Sequence, residues 1–256
     1  MGTIVIEPAA AYLRGHFPER PILPGVVQLQ LLVEHLSQET GQTLVLRSIK
    51  FARLRQLVVP GDRLEILTRP GEGAYTRVDV KRDGVLVANA ELELGSAAAR
   101  IESSYAVSVA GVEVDAPPLD LLLPHRPPMR FVESIEREWS DGLQCAARIS
   151  TECGLVQGGR APALIALEAA AQSAAAWEAV RRAREAGGAG ARIGYLVAIR
   201  DTVFHADSVA ADEPFTATVR LEAAALPLTH YAVEVVARDT LVLRGKIATV
   251  LTDEKP

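Results

Sequence analysis

The chain has 256 residues, 49% of them hydrophobic and 23% charged, with a formal net charge of −5. That is material for one large core or two modest ones, and an acidic balance in which basic clusters are interrupted by acids argues against a nucleic-acid partner. Two cysteines, Cys145 and Cys153, suggest neither a disulfide framework nor a zinc site, and no uncharged apolar run reaches membrane-spanning length, so a soluble protein of the reducing cytoplasm is expected.

The opening "MGTIVIEPAAAYLRGHFPER" lacks the long apolar stretch of a secretory signal. It reads as a short strand over residues 3–7, followed by a loop that carries His16. A helix is expected over 24–39, because Pro24 and Gly25 fit a helix start and Gly41 fits a stop. Strand-like runs follow at 45–53, 63–68, 75–82 and 85–93, and the Asp83-Gly84 pair between the last two is a strong hairpin signal. One helix followed by antiparallel strands implies an α+β unit whose sheet wraps that helix.

Residues 95–118 then mix small side chains with one possible strand and end in two prolines, the composition of a connection between units. The expected division is a first unit over 1–96, a linker over 97–118 and a second unit over 119–256. In the second unit "LLLPHRPPMRFVESIERE" leads into a strand over 142–149. A helix over 163–186 follows, closed by Gly187-Gly188, and then strand-like runs at 194–204, 215–222, 230–238 and 240–251. The repeated order of elements suggests an internal duplication. Pro24 precedes Gln30 by six residues and Pro162 precedes Glu168 by six; eight residues before each proline stand His16 and Gly154. One unit therefore has the histidine without the acid, and the other has the acid without the histidine.

"HFPERPILPGV" resembles the His-Phe-Pro…Pro-Gly motif of the hotdog-fold β-hydroxyacyl-ACP dehydratases, and "EAAAQ" at Glu168 to Gln172 resembles their Glu-Ala-x-Ala-Gln helix. The chain is similar, more narrowly, to the two dehydratase partners of aryl polyene pigment clusters. The resemblance implies a double hotdog: two antiparallel sheets, each wrapped around a central helix and packed as a pseudo-dimer. It also implies one composite site per chain that converts a 3-hydroxyacyl thioester to a trans-2-enoyl thioester. No cofactor is implied beyond the phosphopantetheine arm that carries the substrate. The implied partners are acyl carrier protein, synthase components and a second copy of the chain.

Such an elimination needs a base for the C2 proton, an acid for the departing C3 hydroxyl, and a group that polarises the thioester carbonyl. His16 fits the base, since a free imidazole titrates near the working pH. Glu168 fits the acid, on the expectation that burial among Leu164, Ile165, Leu167 and Ala171 raises its pKa. Gln172, at i+4, is placed to orient the carboxyl group. The Gly25 N–H at a helix start is the expected carbonyl clamp. Phe17 and Pro24 complete the expected substrate-binding set, and no metal ligation is expected, because no His-x-x-x-His or carboxylate cluster occurs.

Each assignment has a plainer reading. A histidine in a Pro-rich loop is usually a turn residue, and a glutamate in an alanine-rich helix usually faces water. His125, in "PHRPPM", is expected to be structural, and Gln30 with Glu34 to form a vestigial or substrate-shaping second site. Two basic groups, Arg47/Lys50/Arg53/Arg55 and Arg181/Arg182/Arg184, are candidates for docking an acidic carrier. Two other functions fit the same elements: a hotdog thioesterase, which would use a helix acid with water and needs no His-Phe-Pro loop, and a non-catalytic acyl-binding scaffold.

Overall fold

Residues 163–180 carry alanine, leucine and isoleucine on most sides, and a helix of that kind has to be buried. The computed structural model describes residues 2–96, 111, 112, 114, 116–186 and 192–252. The first unit runs β1 (Gly2–Val5), α1 (Gly25–Thr40), β2 (Leu44–Leu54), β3 (Arg63–Pro70), β4 (Tyr75–Arg82) and β5 (Val85–Ser96). The second begins with α2 (Leu119–Leu122), β6 (Val132–Trp139), β7 (Gly142–Ala147) and β8 (Arg160–Pro162), and then α3 (Ala163–Ala186). It ends with β9 (Gly194–Phe204), β10 (Ser208–Ala210), β11 (Phe215–Ala225), β12 (Leu228–Ala237) and β13 (Thr240–Leu251).

Eleven strands make one antiparallel sheet in the order β1-β3-β4-β5-β2-β9-β13-β12-β11-β7-β6, while β8 and β10 form a separate two-stranded ribbon. The two sheets expected from the sequence are thus joined. β2 pairs with β9 from Ser48 opposite Val203 to Arg53 opposite Ala198. An open edge on each unit would leave a row of unpaired backbone groups, and pairing the two edges removes both. One cluster of buried side chains runs through both units, taking in Val26, Leu29 and Ile49 from the first and Phe131, Ile165 and Trp177 from the second.

Local chemistry explains the boundaries that position the site. α1 starts behind Pro24 and stops at Gly41, whose left-handed φ of 66° lets its N–H close back on the Gln38 carbonyl. The β4–β5 hairpin turns on Asp83 and Gly84 at φ 52° and 77°, the two positive values that a type I′ turn requires. Among the elements not expected, β6 is an edge strand with a single buried residue, and α2 is a single turn. The expected linker falls for the most part outside the described residues; Val112, inside it, bridges Glu138 of β6. Cys145 and Cys153 are free thiols, both buried. No helix among the described residues is long and apolar enough to cross a membrane.

Candidate active site

His16 sits on a loop that only glycine can turn. Gly15 has φ +85°, and a Cβ there would lie 2.0 Å from the Arg126 carbonyl oxygen. The Arg126 N–H donates to the Gly15 carbonyl at 2.9 Å. The loop of the first unit is thereby clasped backbone to backbone onto the segment of the second unit that carries His125. The His16 Nδ1 lies 3.0 Å from the Ile22 carbonyl oxygen. A carbonyl only accepts, so Nδ1 holds the ring hydrogen and Nε2 keeps its lone pair.

Glu168 comes from the second turn of α3 and is 3% exposed. Gln172, one turn further on, is fully buried and holds the carboxyl group from behind. Its Oε1 accepts from the N–H groups of Phe131 at 2.8 Å and Val132 at 3.3 Å. Its Nε2 donates to the Met129 carbonyl at 2.7 Å and to Glu168 Oε1 at 3.3 Å. The i+4 pair expected from the sequence therefore exists, anchored on the backbone that follows His125.

The histidine of the front half and the carboxyl group of the back half share one cavity of about 90 Å³. His125, read from the sequence as structural, lines it too: its Nε2 is 3.4 Å from Glu168 Oε1, and its ring lies 5.2 Å from that of His16. Ligand atoms of His16, His125 and Glu168 all fall within 4.8 Å of one another, so the trio is also a possible metal-ligand set. Sequence spacing could not reveal it, because its members come from three distant segments. Of the expected substrate-facing residues, Gly25 lines the cavity, and a Cβ there would meet Leu54 Cδ1 at 2.2 Å. Phe17, Pro24 and Gln172 stand behind the wall; Phe17 stacks on the His16 ring at 4.4 Å. Ala171, Ala175, Glu178 and Arg182 continue the lining along α3, about 20 Å of helix from Glu168 to Arg182.

Burial drives the His16 imidazole down from 6.5 to about 4, helped by the nearby His125 and opposed by Glu168 and the Ile22 carbonyl. It is a neutral base at physiological pH. For Glu168, burial alone pushes the carboxyl group up, as expected from the sequence. The hydrogen bond from His125, the two imidazoles and Gln172 reverse this and hold it below the ordinary carboxylate value. The expectation of a raised pKa is corrected on that ground.

The His16 shift has a measurable consequence for stability. Between the unfolded value of 6.5 and the folded value of about 4, the unfolded chain binds a proton that the folded chain refuses. The stabilisation is complete above 6.5 and is lost as pH falls through that window, by about 3 kcal/mol for one such group. Urea unfolding from about pH 7 down to about pH 4 is expected to show a steeper loss of stability for the wild type than for His16→Gln; equal slopes would contradict it.

At the pseudo-equivalent place the two halves offer no such pair. Gln30 donates to Glu34 at 3.0 Å, and Gly154 has no side chain to contribute. Gln30 and Glu34 line a separate, wider cleft of about 630 Å³. Three members of the basic groups are engaged with acids: Arg47 pairs with Asp207 at 2.8 Å, Lys50 with Glu72 at 2.6 Å, and Arg184 with Glu138 at 2.6 Å. Arg181 covers the Trp177 ring, and Arg182 is half-buried in the cavity wall. Arg53 and Arg55 are exposed, on either side of Leu54, which lines the cavity.

Comparison with known proteins adds three findings. Residues 117–255 match the family model described as ApeP-like, ApeP dehydratase, and residues 2–88 match that described as ApeI-like, ApeI dehydratase. Among curated proteins, the 3-hydroxyacyl-[acyl-carrier-protein] dehydratase FabZ of Rhizobium etli is 36% identical over 96 residues, 32% of this chain and 59% of the relative. The FabZ of Agrobacterium fabrum is 38% identical over 96 residues, 32% of this chain and 60% of the relative. The chain thus spans about three-fifths of the length of these relatives. Among solved structures, the dehydratase domain of PpsC from Mycobacterium tuberculosis superposes with a TM-score of 0.69 at 16% identity, covering 98% of this chain and 92% of that one. The dehydratase domain of RzxB from Pseudomonas fluorescens gives 0.69 at 13% identity, covering 97% and 92%. The fold is the double hotdog expected from the sequence.

Proposed function

Because the chain belongs to the ApeP-like dehydratase family through residues 117–255, with an ApeI-like first half, we propose that it removes water from a 3-hydroxyacyl thioester carried on acyl carrier protein. The observation that carries this reading is the meeting of His16 and Glu168, one from each half, in a single buried cavity. In the proposed reaction the neutral His16 Nε2 takes the C2 proton. The carboxyl group of Glu168, steered by Gln172, serves the departing C3 hydroxyl. The Gly25 N–H, at the start of α1 and the positive end of a helix, polarises the thioester carbonyl. The units over 1–96 and 119–256 act as the two halves of a pseudo-dimer with one working site.

The narrow, largely apolar channel along α3 suits an extended acyl chain, and a chain built up over several rounds of condensation is the finer reading. Arg53 and Arg55, exposed beside the cavity wall, suit an acidic carrier protein. The test is incubation of the protein with a 3-hydroxyacyl-acyl carrier protein, followed by mass spectrometry of the carrier. Loss of one water with the thioester intact is expected. Release of free carrier thiol would point to hydrolysis instead, and no change in the thioester would overturn the reading.

A further inference from the structure

Resting on that functional reading, we propose that His125 is a third working side chain of the site: a positioning residue that shares with Glu168 the proton taken up by the leaving C3 oxygen. Three observations separate this from a purely structural role. Glu168 Oε1 is already held by Gln172, which is itself tied to the backbone at Met129, Phe131 and Val132. The carboxyl group therefore does not need His125 to fix it. The second observation is tautomer freedom. The His16 Nδ1 is locked onto the Ile22 carbonyl, whereas the His125 Nδ1 is buried with no hydrogen-bond partner among the described residues. Buried ring nitrogens of structural histidines are normally satisfied. A ring with one nitrogen on a carboxylate and the other unlocked is able to change its protonation state. Third, His125 lines the cavity itself, so the contact it makes with Glu168 faces the substrate space.

The balance of the step follows from this arrangement. At the start the His125–Glu168 pair holds one proton more than a neutral imidazole and a carboxylate. The C2–H bond breaks as an N–H bond forms at His16 Nε2, and the electron pair left behind becomes the C2–C3 double bond. The C3–O bond breaks, and the oxygen takes the shared proton through the Glu168 carboxyl group and departs as water. His16 is left as imidazolium, His125 as neutral imidazole and Glu168 as carboxylate, so the charge of the site is unchanged. With the three groups within 4.8 Å of one another, the His16 proton returns to the pair by a short transfer and resets the site. The charged groups that face His125 are His16 from the first unit, Glu168 from α3, and neighbouring Arg126, whose guanidinium donates to the carbonyls of Leu123, His125 and Asp120.

The test compares wild type, His125→Gln and His125→Phe on a 3-hydroxyacyl-acyl carrier protein, with thermal melting of each protein. Glutamine keeps a donor toward Glu168 but holds no transferable proton. Both variants are expected to lose kcat by about 100-fold or more, with KM changed less than about threefold and the His125→Gln melting temperature close to that of the wild type. Full activity of His125→Gln would overturn the proposal while leaving dehydration by the wild type intact.

Discussion

His16→Ala is expected to lower kcat for dehydration by about a thousandfold or more, and Glu168→Gln to do nearly the same, with KM little changed in either. A positioned general base or acid contributes about 100- to 10,000-fold, and the Ile22 carbonyl fixes the His16 tautomer that leaves Nε2 free as the base. Alanine also leaves the cavity larger and wetter, which weakens every electrostatic contact inside it. Glu168→Gln keeps the shape and the contact to Gln172 but removes the group that delivers a proton. The loss belongs in kcat because both groups act on bonds that change in the transition state. Steady-state kinetics of the purified variants, with melting curves to show that each is folded, provide the check; a variant within threefold of wild type would remove its residue from the mechanism.

Gln172→Leu is expected to damage folding and activity together. The leucine fits the space but satisfies none of the four hydrogen bonds that Gln172 makes. It leaves the Phe131 N–H and the Met129 carbonyl buried without partners, and each such group costs about 1–3 kcal/mol. The sum is about 2–6 kcal/mol, a large share of the margin of a typical domain. Because the same side chain steadies Glu168 and ties α3 to the segment carrying His125, kcat is expected to drop as well, by about tenfold or more. Denaturant unfolding gives the first number and kinetics the second. An unchanged unfolding midpoint would show that the buried backbone finds other partners.

Much of this arrangement was legible in the sequence, and the exceptions share a physical cause. α3 over 163–186, β9 over 194–204 and β13 over 240–251 were read with their observed bounds, because apolar periodicity and glycine stops are local signals. β6 was not read as a strand. It lies at the sheet edge, and "ESIERE" shows charged side chains where a buried strand would alternate. The junction of the two sheets depends on which edges meet, which no window of sequence contains. The place of His125 in the cavity is hidden for the same reason. What sets it beside Glu168 is the tie from Gln172 to the Met129, Phe131 and Val132 backbone, a tertiary contact that leaves no spacing pattern. Burial of Glu168 was foreseeable from its apolar neighbours, but the direction of its titration is decided by His125. The paired cations show the same limit: Arg47 finds Asp207 and Arg184 finds Glu138 only after folding.

The claim on which the rest turns is that one chain builds its site from its own two halves. It is tested by mixing His16→Ala chains with Glu168→Gln chains, unfolding and refolding them together, and assaying dehydration. The mixture is expected to stay as inactive as either variant alone, since each folded chain still lacks one member of its own pair. Restored turnover would show that His16 of one chain works with Glu168 of another, and would contradict the account.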